Sequence, residues 1–120
     1  MSSLSDLNLD GCGLQDASFV SGLSQLYWLN LNGNQMHSIP PMESLSANLH
    51  GLYLNNNGCL SGVTHLTVLT NLDTFSLHSV CLSNLDFTAG MTRLQFLDVG
   101  ADWQQDEHKN WLTDVSPLMG

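Results

Sequence analysis

The residues that could do chemistry are few in this chain, and they are scattered. Ser76, His78 and Ser79 stand in one short stretch and are the types a nucleophile–base pair would use. A strand alternates its side chains between two faces, so the stretch is split, and the pattern fixes no carboxylate beside it. The other histidines, His37, His50, His65 and His108, fall at unrelated positions. Neither C-x-x-C nor H-x-x-x-H occurs, so the framework of a structural zinc is missing. Asp106, Glu107 and His108 could ligate a cation weakly, although a solvated loop is the simpler reading. No glycine-rich phosphate loop follows a strand. The chain is read as non-enzymatic, with no metal and no cofactor.

Cys12, Cys59 and Cys81 are the only thiols, and an odd number argues against a closed disulfide framework. They are expected to be reduced and mostly buried, with Cys59 and Cys81 the one pair close enough to join. Two basic residues, Arg93 and Lys109, face eleven acidic ones, for a formal net charge of −9. Two cations cannot build a phosphate-binding face, which excludes nucleic acid and anionic membrane surfaces as partners. The opening MSSLSDLNLD lacks a basic region and an apolar run, no N-x-[ST] sequon occurs, and no segment has the length of a membrane span. Together with the odd thiol, these features favour an intracellular location.

The strongest signal is leucine spacing. LSDLNLDGC from Leu4, LYWLNLNGN from Leu26, LHGLYLNNN from Leu49, LDTFSLHSV from Leu72 and LQFLDVGAD from Leu94 start 22, 23, 23 and 22 residues apart. Each has apolar residues at its first, fourth and sixth positions, the pattern L-x-x-L-x-L-x-x-N/C-x-L. The alternating leucines give a short strand with one face inward. The chain must then turn, cross over and return one layer up, as parallel strands require. The ninth position sits in that turn and is Cys12, Asn34, Asn57, Val80 and Asn110. An asparagine there can pair backbone groups that burial would otherwise orphan. Cys12 suits the same buried spot. Val80 cannot hydrogen-bond, so a local backbone adjustment or a water is expected beside it.

The return halves repeat too. NWLTDVSPLMG, 110–120, aligns with CGLQDASFVSG, 12–22, without a gap. Asn110, Leu112, Asp114, Val115, Pro117 and Leu118 fit the motif N-x-[IL]-x-D-[IV]-x-P-L, which resembles the 22-residue leucine-rich repeats of the bacterial internalins and the related intracellular repeats of phosphatase-regulator-type proteins. Cys12, Val80 and the extra residues near 40 and 60 depart from it. The expected fold is an α/β repeat: one leucine-rich-repeat solenoid over 1–120, of about five repeats. A short-stranded parallel sheet would line its concave face, with irregular, 3-10 or helical return segments. The resemblance implies that the concave face binds a partner.

Between the inward leucines lie three outward columns: Asp6, Trp28, Gly51, Thr74 and Phe96; then Asn8, Asn30, Tyr53, Ser76 and Asp98; then Asp10, Asn32, Asn55, His78 and Gly100. A leucine solenoid does not need aromatics in solvent, so Trp28, Tyr53 and Phe96 among Asn and Asp read as a recognition surface. The candidate binding residues are Trp28, Asn30, Tyr53, Asn55, Ser76, His78, Phe96 and Asp98, with Trp103 and Asp106 from an insertion. That insertion is required because the gap from Val80 to Asn110 is 30 residues. It occupies about 102–109 and must bulge outward, as a binding loop or as a cap. Its Asp102, Asp106 and Glu107 favour a basic partner. The expected function is a non-catalytic protein-binding module. The alternatives are a carbohydrate or small-ligand binder and an end-to-end assembly unit. Repeat arrays need polar caps, and none precedes Leu4, so either a fragment of a longer array or self-association through uncapped ends is a further expectation.

Overall fold

The computed structural model describes residues 4–78, 80–81 and 85–99 of the chain. Five three-residue strands form one open parallel sheet in chain order: β1 Asp6–Asn8, β2 Trp28–Asn30, β3 Gly51–Tyr53, β4 Thr74–Ser76 and β5 Phe96–Asp98. Between them the chain returns through 3-10 turns at Ser18–Gly22, Glu43–Leu45, Val63–Val68 and Asp86–Thr88. The chain is thus a leucine-rich-repeat solenoid. No described helix is long and apolar enough to cross a membrane.

Leucine spacing sets the register. Leu7, Leu29, Leu52, Phe75 and Leu97 lie side by side across the sheet. The middle three are wholly buried. Each such side chain contributes about 1.5–3 kcal/mol by leaving water. Opposite them, Val20, Leu45, Leu66 and Phe87 close the core from the return segments. Phe75 replaces a leucine, and it meets Phe87 edge-on at 6.1 Å. The Asp16 carboxylate starts the first return turn by accepting the Ser18 N–H at 2.8 Å.

The turn asparagines act as their spacing predicts. Asn34 Oδ1 accepts the N–H groups of Cys12 and Leu14, and its Nδ2 donates to the carbonyls of Leu9, Leu31 and Asn32. Asn57 Nδ2 donates to Leu31, Leu54 and Asn55, and its Oδ1 accepts from Met36. Val80 is buried, and the residue after it, Cys81, takes φ 66°. Gly13 and Gly58, which follow Cys12 and Asn57, are left-handed as well, at φ 71° and 75°, so this conformation belongs to the repeat and is not an adjustment to the apolar turn.

Two expectations about the thiols are corrected. Cys59 and Cys81 form a disulfide, with Cα atoms 4.9 Å apart, and Cys12 is exposed. Positions 59 and 81 follow equivalent turns in successive layers, which brings them together. Cys12 belongs to the first described layer, where the turn lies open. The pairing also removes the free-thiol argument for an intracellular location, since disulfides persist mainly in oxidising surroundings.

Candidate functional site

The outward columns assemble on one face of the sheet. Asp6, Trp28, Gly51, Thr74 and Phe96 stand in register, and so do Asn8, Asn30, Tyr53, Ser76 and Asp98. Trp28 and Tyr53 are half-buried, while Phe96 is 53% exposed.

Gly51 explains how Trp28 sits. A Cβ built at Gly51 would come within 2.6 Å of Trp28 Cδ1 and 3.3 Å of Nε1. The indole therefore lies across the glycine, in space that any other residue would fill. Glycine inside a strand often marks such a close approach. Tyr53, two residues along β3 from Gly51, lies 5.4 Å from Trp28 between ring centroids and is tilted 56° to it. The three residues form an open aromatic corner.

The polar residues beside this corner are largely engaged with one another. Asn30 Oδ1 accepts the Asn32 N–H at 2.9 Å. Asn32 Oδ1 accepts the Asn55 N–H one layer on, at 2.8 Å. Asn55 Oδ1 in turn accepts the His78 N–H at 2.6 Å and the Ser76 hydroxyl at 2.7 Å. These bonds form a second asparagine ladder along the exit edge of the sheet. Ser76 is only 2% exposed. Sequence reasoning missed the structural share of Asn32 and Asn55. The signal was an asparagine at the same repeat position in two successive layers.

A second correction concerns His78. Its Nδ1 lies 3.5 Å from Asp98 Oδ1, so a carboxylate does stand beside it. Ser76 is near in sequence, but its hydroxyl donates to Asn55. Among the described residues no cluster of three or more His, Cys, Asp and Glu could hold a metal ion. Trp103 and Asp106, like the whole 102–109 insertion and the 110–120 motif, lie outside the described residues.

One further feature was not anticipated. At the entry edge of the sheet, Tyr27 stacks on His50 at 4.4 Å with the planes 18° apart. Beside it an open groove of about 430 Å³ is lined by His50, Asn71, Asp73, Arg93 and Gln95 among others. His50 Nδ1 is 2.7 Å from the Asn48 carbonyl, which holds the ring in place.

No family model matches the chain, and no curated protein matches it in sequence. Solved structures do. An internalin of Listeria monocytogenes, InlF, superposes with a TM-score of 0.84 and 29% identity over 98% of this chain. Internalin C2 of the same species gives 0.82 and 31% over 96%. The chain spans only 32% and 46% of the lengths of these two proteins.

Proposed function

From a leucine-rich-repeat chain that resembles the bacterial internalins, we propose a protein-binding module whose concave sheet face is the contact surface. The observation that carries this reading is the aromatic set on that face. Trp28 and Tyr53 meet over Gly51, and Phe96 stands 53% exposed two strands from the floor. The buried leucine column already holds the layers together, so the stack has no need of these rings. Exposed aromatics in a polar surround are the common anchors of protein interfaces. Asp98 and His78 extend the same surface.

The experiment offers wild type and a Trp28→Ala, Tyr53→Ala, Phe96→Ala variant as bait, after circular dichroism has shown that both fold. Protein extract and a glycan array are presented in parallel. Wild type should retain a protein that the triple variant loses, since anchors of this kind contribute upward of about 1–2 kcal/mol each. Capture of glycans without protein would replace this reading with the carbohydrate one. Equal capture by both baits would remove the concave face from consideration.

A further inference from the structure

We propose that the corner of Trp28, Gly51 and Tyr53 receives a basic side chain, lysine or arginine, from the segment of the partner docked there. The inference rests on the concave face being the protein-binding face. Trp28 and Tyr53 are half-buried rings 5.4 Å apart, and the indole fills the space that Gly51 leaves without a side chain. The face of an aromatic ring is its negative side, and indole attracts cations best. Asp6 stands directly in register with Trp28 on the neighbouring strand and is exposed. The indole leans towards β3 and Asp6 stands on β1, about two strand spacings of 4.8 Å away, so a cation on the β1 side of the ring lies within Coulomb range of the carboxylate.

Charge on the rest of the face selects the same occupant. The described outward columns carry Asp6, Asp10 and Asp98, and neither lysine nor arginine. The chain as a whole has eleven acidic residues against two basic ones. An acidic side chain at the corner would meet Asp6 and the negative ring faces together. An apolar one would contact the rings but leave the carboxylate unmatched. A cation satisfies both features at once.

The test is a selection of random linear peptides displayed on phage, using the folded chain as target. Selected peptides should carry Arg or Lys at a fixed position. In a synthetic winner, replacing that Arg by citrulline, or that Lys by norleucine, should weaken binding to wild type by about 3- to 30-fold, the range of a partly desolvated cation–π contact. The same replacement should cost under about twofold on Trp28→Leu, because the cycle isolates the pair. Gly51→Ala keeps every ring but displaces the indole, and it should reproduce most of the Trp28→Leu loss. Tyr27→Ala, at the other edge of the sheet, should bind as wild type does. Winners that depend on Trp28, Tyr53 and Phe96 but contain no basic residue would overturn this inference and leave the concave reading standing. An equal citrulline penalty on Trp28→Leu would reduce the effect to diffuse charge and would also overturn it. Winners indifferent to all three rings, or no winners at all, would count against the concave reading itself.

Discussion

Where the chain leaves β3, Asn57 is wholly buried, and its side-chain amide reaches the carbonyls of Leu31, Leu54 and Asn55. One layer on, where it leaves β4, the equivalent residue is Val80, which is also buried but carries no polar atom in its side chain. The next residue, Cys81, is left-handed as Gly58 is after Asn57, at φ 66° and 75°, but it is bonded covalently to Cys59 in the layer below. The same repeat geometry thus closes twice, once by hydrogen bonds from a side chain and once by apolar packing with a covalent tie. A turn position is defined by what its backbone needs, and more than one chemistry can meet that need.

This difference predicts unequal responses to substitution. Asn57→Ala should have the largest effect. It takes the partner from the Leu54 carbonyl and the Met36 N–H, while the Leu31 and Asn55 carbonyls keep Asn34 Nδ2 and the Gly33 N–H. At about 1–3 kcal/mol for each buried group left unpaired, a loss of roughly 4 kcal/mol is expected by urea denaturation. The converse change sharpens the point. Val80→Asn would restore the motif, but Val80 is buried as part of the apolar core. A polar amide buried without aligned partners should therefore destabilise by about 1–3 kcal/mol. A gain in stability from Val80→Asn would mean that the two turns are interchangeable, and the comparison would fail.

The covalent tie comes next in size. Cys59 and Cys81 are 22 residues apart, and closing a loop of that length contributes about 3 kcal/mol in the chain-entropy account. Reduction, or the double change Cys59→Ser, Cys81→Ser, should lower the urea midpoint accordingly. Asn57→Ala measured with and without the disulfide then tests whether neighbouring layers share their stabilisation. Strict additivity would show that they do not.

The contrast also marks what the sequence could reveal. Five phased copies of a leucine pattern fix strand positions, register and buried columns, because each is a periodic requirement. The role of Asn34 and Asn57 follows from the same periodicity. The disulfide did not follow, since Cys59 and Cys81 depart from the repeat and a count of three thiols argues against any pairing. The Trp28–Gly51–Tyr53 corner was only half legible. Alternation placed Trp28 and Tyr53 on the outer face, but the meaning of Gly51 lies in which neighbour fills the space it leaves. The engagement of Asn55 with Ser76 and His78 was hidden for a like reason: cross-strand bonds depend on neighbours a full repeat away.

Gly51→Ala offers a smaller and more local measurement. The new methyl would stand 2.6 Å from Trp28 Cδ1, so the ring has to move. The ring is a side chain at a partly exposed site, and the cost should be about 1 kcal/mol, at the low end for overpacking. The indole N–H resonance of Trp28, assigned by comparison with Trp28→Phe, should shift clearly. A resonance that stays in place would show that the indole does not lie over this glycine.

Cys12 should show the smallest effect. It stands at the position of Asn34 and Asn57, yet its side chain is exposed and keeps only a weak counterpart of one of their backbone bonds. Its Sγ makes one weak contact, 3.7 Å from the Asp10 carbonyl. Its own N–H is already held by Asn34 Oδ1 at 3.0 Å, and that bond does not depend on the cysteine side chain. Cys12→Ala should therefore change stability by less than about 0.5 kcal/mol, as surface substitutions usually do. In the oxidised folded protein Cys12 should be the one thiol of the three that iodoacetamide modifies, and mass spectrometry should find a single adduct. Modification should leave the unfolding midpoint unchanged. A Cys12→Ala loss approaching that of Asn57→Ala would place Cys12 inside the turn ladder and erase the distinction between the first layer and the third.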